Sequence, residues 1–197
     1  MNEYEKTNHL NHNSKTQGSR RPRPKSKFLA GGILFALLMM TVQGFSQVVP
    51  TGKERVKSVN AHFEKEVLRL TNLERKKRGL KPLKLNQSLA YSARYHAKDM
   101  AEDNYFNHDS YDRKKNGRMV KVCGTFQRIK AFEKFNYMAE NISAGRQTPK
   151  SVLKAWMKSP GHKKNILGKN FTEIGIGYYY FGNSAYRHYW VQNFGGN

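Results

Sequence analysis

Phe171-Thr172-Glu173-Ile174-Gly175-Ile176-Gly177-Tyr178-Tyr179-Tyr180-Phe181, followed four residues later by Tyr186-Arg187-His188-Tyr189-Trp190-Val191-Gln192-Asn193-Phe194, decides the fold. Both runs are rich in β-branched and aromatic residues, and Gly182-Asn183-Ser184-Ala185 between them has the composition of a hairpin loop. They predict two strands, 171–181 and 186–194, paired antiparallel. Alternation along the hairpin sends about half of Tyr178, Tyr179, Tyr180, Tyr189 and Trp190 to the core and leaves His188 at the surface.

Upstream of the hairpin the apolar period becomes helical. Thr148 is an N-cap followed by Pro149, and Val152, Leu153, Trp156 and Met157 form the buried face of a helix over 149–158, which Ser159-Pro160-Gly161 stops. A short helical turn follows over 163–167. Asn86 caps a helix over 86–103 with Leu89, Ala93, Ala97 and Met100 on one stripe, and Asn104 ends it. Phe63, Val67 and Leu70 at i, i+4 and i+7 mark a helix over 54–79, with Lys76, Lys77 and Arg78 in its favourable last turn and Gly79 placed to end it. Residues 80–85 are extended, a short strand or turn lies around 137–142, and 105–136 show no readable period. Helices first and an antiparallel sheet last define an α+β domain whose helices cover the sheet faces.

The 197 residues include 11 Tyr, 11 Phe and 2 Trp, which excludes a wholly disordered chain. A single cysteine, Cys123, excludes an internal disulfide framework and any multi-thiolate metal site. Only one long apolar run exists, Phe28 to Val42, so a multi-span membrane protein is excluded too. The run follows the basic stretch Arg20 to Lys27 and precedes the small residues Gly44 and Ser46, the layout of an export signal cleaved after Ser46. The alternative is an uncleaved anchor, although the run is shorter than the roughly 20 residues that usually span a bilayer. Either way the positive flank stays inside and the body is extracytoplasmic. The chain thus divides into a basic tail and signal (1–46), a linker (47–53) and one domain (54–197).

Residues 1–46 hold 7 Lys/Arg and 2 Asp/Glu, which leaves the body 29 basic and 12 acidic residues, a formal +17. That charge favours contact with polyanions, cell-envelope ones above all, and equally suits a well-hydrated, mutually repelling surface. It implies no specific nucleic-acid recognition, since salt-sensitive binding without sequence preference belongs to any such surface. Membrane contact is expected only through the N-terminal segment if it stays uncleaved.

The body keeps five histidines, His62, His96, His108, His162 and His188, and lacks the His-Glu-x-x-His, Gly-x-Ser-x-Gly and phosphate-loop signatures. It carries instead a series of small motifs in fixed order. They are Leu70-Thr71-Asn72-x-Glu74-Arg75-x-x-x-Gly79-Leu80-x-Pro82-Leu83, His96-Ala97-x-Asp99-Met100, Tyr105-Phe106-x-His108-x-Ser110 and Ala139-Glu140-Asn141-Ile142. Trp156-x-x-Ser159-Pro160-Gly161-His162-x-x-Asn165-Ile166-Leu167, Phe171 to Tyr178 and Trp190 to Phe194 complete the series. Over about residues 63–194 this order resembles the bacterial branch of the CAP superfamily, that of the cysteine-rich secretory, antigen 5 and pathogenesis-related proteins.

The resemblance implies an α-β-α sandwich of the CAP type with an antiparallel sheet, a C-terminal hairpin, and a surface cleft lined by two histidines and two acids. By motif the histidines are His108 and His162, one acid is Glu140, and Glu173 is a bacterial-style substitute for the second. Eukaryotic members take that second acid from the helix around Trp156 to Ser159, where this chain has no carboxylate. Their disulfides cannot form with one cysteine. The implied function is a secreted binding module at the cell surface or outside the cell, with a lipid, glycan or protein ligand. The alternative is a metal-assisted hydrolase, peptidase or nuclease, using the same cleft, and no catalytic residue is assigned. Two imidazoles can hold Zn²⁺ at ~2.0–2.1 Å, with His108 and His162 as the ligands. A carboxylate beside a histidine can instead do acid–base work near pH 7, or the groups can form a buried network that locks loops to the sandwich. His96 is expected to pack or cap, Asn72 and Glu74 to tie the first helix to the sheet, and Trp156 and Met157 to fill the core.

Overall fold

A computed structural model describes residues 49–197. Residues 1–46, read above as a basic tail and export signal, and the start of the linker lie outside the described residues. Among the described residues no helix is long and apolar enough to cross a membrane. The elements are α1 (Ala61–Lys76), β1 (Lys84–Leu85), α2 (Gln87–Glu102), β2 (Ser110–Arg113), β3 (Met119–Cys123), α3 (Thr125–Phe132), β4 (Tyr137–Ala144), α4 (Pro149–Lys158), α5 (Pro160–Ile166), β5 (Glu173–Tyr180) and β6 (His188–Gly196).

The main sheet has the order β1-β5-β6-β4, with β5 and β6 paired antiparallel as the hairpin reading requires. It is antiparallel except at one edge, where the extended segment after α1 supplies β1, parallel to β5. A separate ribbon, β2–β3, closes through the left-handed Gly117 at φ 81°. This ribbon and α3 occupy the stretch 105–136 that has no readable period. Each element there is only four to eight residues long, too short to display one.

Helix α1 begins at Ala61 rather than at residue 54. Asn60 is the cap: its Oδ1 accepts from the Phe63 N–H at 3.0 Å, and the residues before it, from 51 on, are in neither helix nor strand. The other signals act as read. Asn86 Oδ1 accepts from Leu89 N–H at 2.9 Å, and Asn104 turns the chain out of α2 at φ 53°. Thr148 and Ser151 form a reciprocal capping box with Pro149 opening α4. Ser159-Pro160 ends α4 and at once starts α5, because a proline that cannot continue one helix can open the next.

The two sheet faces follow from the alternation in β5. Ile174, Ile176 and Tyr178 face α1 and α4, joining Val67, Val152, Leu153, Trp156, Trp190 and Phe194 in one buried cluster. Gly175 and Gly177 face α2, where a Cβ would lie 2.0 Å from Leu89 C and 2.3 Å from Ala93 C. The Ile-Gly-Ile-Gly repeat lets α2 rest directly on the strand, and Ala93, Ala97 and Met100 pack there with Ile142, Tyr189 and Val191. Helices on both faces make the α-β-α sandwich. Asn72 ties α1 to the extended segment through both the N–H and the C=O of Leu83, at 2.8 and 3.0 Å, whereas Glu74 pairs only with Lys77 and Arg78 at the surface.

Candidate functional site

β4 is the second edge of the main sheet, and two of its carbonyls have side-chain partners. Trp156 Nε1 donates to Ile142 O at 3.0 Å and Asn165 Nδ2 to Glu140 O at 3.2 Å, so the middle of this edge is blocked to strand addition. Consecutive residues on a strand point to opposite faces. Glu140 therefore faces the α2 side and Asn141 the α5 side, and the candidate site lies where groups from both faces meet at this edge.

On the α2 side, the loop after α2 presents His108. Its main chain is fixed from below: His96 Nε2 donates to Asn107 O at 2.9 Å, and Thr125 Oγ1 and Arg128 Nη2 donate to His108 O at 2.9 and 3.0 Å. The His108 ring is left 51% exposed, with Nδ1 at 2.9 Å from Glu140 Oε1. The Glu140 side chain is 1% exposed, and its other oxygen accepts from Arg128 Nη2 at 2.6 Å. Asn193, opposite Glu140 in the β4–β6 register, completes the ring. With its amide oriented to satisfy both ends, Nδ2 donates to Glu140 Oε2 at 3.1 Å and Oδ1 accepts from Ala93 N–H at 3.2 Å.

Burial alone would raise the Glu140 pKa. The charge of Arg128 and the hydrogen bonds from His108 and Arg128 outweigh it and hold the carboxyl at about 2. Arg128 is itself fully buried and also donates to Ser110 Oγ at 2.9 Å. His96 is fully buried as well; burial and the neighbouring Arg128 push its pKa down, so it stays neutral and acts as the strut expected of it.

On the other side, α5 presents His162. Asn141 Nδ2 donates to His162 O at 3.2 Å and to Gln192 Oε1 at 3.1 Å, while Asn165 Nδ2 donates to Asn141 Oδ1 at 2.9 Å. Gln192 in turn donates to Thr71 Oγ1 on α1 at 2.9 Å. The half-buried His162 ring has its pKa lowered, first by burial and then by His108.

The structure thus brings His108 and Glu140 into contact, and it ties the main chain of His162 to Asn141, the strand neighbour of Glu140. Glu173 is placed elsewhere, at the start of β5, two strands from Glu140, where its carboxylate accepts a hydrogen bond from Asn86 Nδ2. Arg128 is the member that the sequence reading leaves out. It sits in the stretch without a period, and the signal that finds it is chemical: a carboxylate buried in a sheet needs a buried cation.

The donor set is too small for a resident zinc ion. Both Glu140 oxygens and His108 Nδ1 are spent on one another, on Arg128 and on Asn193, which leaves His108 Nε2 and the His162 ring. Among the described residues no three His, Cys, Asp or Glu side chains stand where they could hold one ion. The His108–Glu140 pair can fix the ring so that Nε2 accepts or gives a proton at the rim. No hydroxyl or thiol among the described residues hydrogen-bonds to that nitrogen, and Cys123 is buried with its thiol pKa pushed up by burial.

A concavity of about 440 Å³ lies between α1 and α4, lined by the apolar Leu70, Leu73, Leu153 and Met157, by Lys77, Lys150, Lys154 and Lys158, and by one acid, Glu74.

Residues 68–194 match the profile of CAP, the cysteine-rich secretory protein family. The chain is 44% identical over 138 residues to the uncharacterized protein YkwD of Bacillus subtilis strain 168, the match covering 70% of this chain and 48% of that protein. It is 33% identical over 142 residues to the uncharacterized membrane protein YlbC of the same organism, covering 72% and 36%. The chain therefore spans less than half the length of either relative. Among solved structures, an extracellular SCP-domain protein from Bacillus anthracis superimposes with a TM-score of 0.57 at 30% identity, over 68% of this chain and 40% of that one. An outer surface protein of Borrelia burgdorferi gives the same TM-score, 0.57, at 22% identity over 73% and 99%, a likeness of fold. The motif order, the sandwich and these matches agree: the chain belongs to the CAP family of cysteine-rich secretory proteins, with bacterial SCP-domain proteins as its structural neighbours.

Proposed function

We propose that the chain is an exported binding module whose recognition site is the rim of His108 and His162 over the buried Glu140. The observation that carries this reading is that both oxygens of the buried Glu140 already have protein partners. A carboxylate with both oxygens spent holds a neighbour in place, and what faces outward is a pair of imidazoles with no nucleophile attached. Export is supported by the basic flank and apolar run before Ser46 and by the extracellular naming of the Bacillus anthracis relative. Titration of the purified chain onto isolated cell envelopes tests the reading. Saturable binding that weakens about tenfold or more in a His108→Ala, His162→Ala double variant is expected. Unchanged affinity in that variant, with its fold intact by circular dichroism, contradicts it. N-terminal sequencing of envelope or medium protein tests the cleavage after Ser46, and a chain beginning at Met1 makes the run an anchor.

The α1–α4 concavity favours a second reading, an amphiphile with an anionic head. The apolar Leu70, Leu73, Leu153 and Met157 suit an acyl chain, and four lysines against the one acid Glu74 suit the head. Displacement of a fluorescent fatty acid, lost when the exposed Leu73 is replaced (Leu73→Asp), would support it; no displacement at any concentration below micelle formation sinks it.

A further inference from the structure

Arg75, in the first of the ordered motifs, is 2% exposed, yet none of its hydrogen bonds reaches a carboxylate. Its Nε donates to Lys81 O at 2.9 Å and its Nη1 to Ile166 O and Gly168 O, both at 2.9 Å. Nη2 reaches only Phe171 O, at 3.5 Å. A guanidinium carries five N–H donors, so Nη2 keeps one hydrogen unspent and commits the other to a long contact. Burying a charge without a counter-ion is costly, and burial depresses the Arg75 pKa accordingly.

This uncompensated cation forms part of the wall of a cavity of about 570 Å³ that the cleft does not share. Lys81, Lys84 and Lys169 line the same cavity, and among the described residues none of the three stands within ion-pair distance of a carboxylate. Its one acid, Glu173, is already held by the Asn86 amide. The remaining walls include Leu80, Pro82 and Phe171, which are apolar.

We propose that this cavity is a second ligand site, which binds the phosphate group of a phosphate ester. The oxyanion takes the spare Nη2 hydrogen of Arg75 and the three ammonium groups, and the organic part lies on Leu80, Pro82 and Phe171. A phosphate suits four cations facing one carboxylate, because its three or four oxygens and up to two charges exceed what a carboxylate offers. A water's share of liquid volume is about 30 Å³, so the cavity is far larger than an inorganic phosphate needs and has room for the attached alcohol. Outside the cytoplasmic membrane such a group arrives either as a small ester or as one unit of an anionic polymer.

Calorimetric titration of the full chain at fixed ionic strength, with inorganic phosphate, glycerol phosphate and a poly(glycerol phosphate), tests the proposal. Saturable one-to-one binding of glycerol phosphate, tighter than that of inorganic phosphate, is expected. A Lys84→Ala, Lys169→Ala double variant should weaken it about tenfold, since two charge-assisted contacts are lost. Lys163→Ala, Lys164→Ala removes the same charge from α5 and should leave it within about twofold. Tighter binding of the polymer than of its monomer, per phosphate, assigns the polymer as the source, and equal binding assigns the small ester. Equal losses in the two lysine pairs, or titrations that do not saturate, overturn the proposal. His108→Ala should leave phosphate binding unchanged, so the outcome is independent of the cleft.

Discussion

Replacement of Arg128 by Met tests the frame beneath the cleft. The variant keeps the aliphatic stem and removes the hydrogen bonds to Glu140 Oε2 (2.6 Å), Ser110 Oγ (2.9 Å) and His108 O (3.0 Å). Breaking a buried ion pair by deleting one partner costs about 3–5 kcal/mol, because the surviving charge stays buried. Glu140 can escape by taking a proton, and from an unfolded value of 4.5 this costs about 3 kcal/mol at pH 7. The two routes agree, so a loss of about 3–5 kcal/mol is expected at pH 7. The pH dependence carries the sharper signature. In the parent, the Glu140 pKa is lowered to about 2, so its stabilisation is complete above 4.5 and is lost as the pH falls from there through 2. In the variant the carboxyl pKa is raised above 4.5, so this group becomes less destabilising as the pH falls from 7 towards 5. The stability gap between the two proteins should narrow by about 2 kcal/mol over that interval. Urea unfolding followed by the fluorescence of the buried Trp156 and Trp190 measures it. A loss below about 1 kcal/mol that stays constant from pH 7 to 5 would refute the reasoning. The double variant Arg128→Met, Glu140→Gln should recover part of the loss, because it leaves no buried charge.

Three further outcomes are expected. Gly177→Ala forces a Cβ to within 2.3 Å of the α2 main chain and should cost about 1–3 kcal/mol or more, whereas Gly79→Ala meets nothing within 4 Å and should cost about 1–2 kcal/mol through its φ of 69° alone. Equal effects measured by urea unfolding would contradict the close approach of α2. Acid should destabilise the parent in two stages: from about pH 6.5 downward, where the unfolded His96 takes a proton that the buried ring refuses, and again below 4.5 through Glu140. A urea midpoint that is flat from pH 7 to 3 would count against both assignments. Elemental analysis after dialysis should find well below one zinc per chain, because two free imidazoles are fewer donors than protein zinc sites use; stoichiometric zinc that vanishes in His162→Ala would overturn this.

The hairpin, the two capped helices and the motif order were legible because each has a local cause: alternation in β5 and β6, Asn86 and Thr148 as caps, Pro149 at the first helical position. The start of α1 was not. Charged residues at 53–57 are as compatible with a helix as with the irregular chain found there, and only the Asn60 cap fixes the boundary. The meaning of Ile-Gly-Ile-Gly was hidden too, since glycine in a strand reports a close approach only once the approaching helix is known. For the site, motif resemblance found His108, Glu140 and His162 separately. Arg128, which joins the first two, came from the stretch without a period. Glu173 lies in the expected strand but is bonded to the cap of α2, a contact made across 87 residues of sequence.

Recognition at the cleft requires that the exposed imidazoles of His108 and His162 meet a ligand while His96 holds the loop beneath them. The most direct measurement is NMR of the histidine ring signals of the chain as solubilised cell envelope is added. The expected result is that the His108 and His162 signals shift together and saturably, and that the signal of the fully buried His96 keeps its position. Ring signals of His108 and His162 that stay fixed while backbone signals elsewhere saturate would contradict it and move the recognition surface away from the cleft.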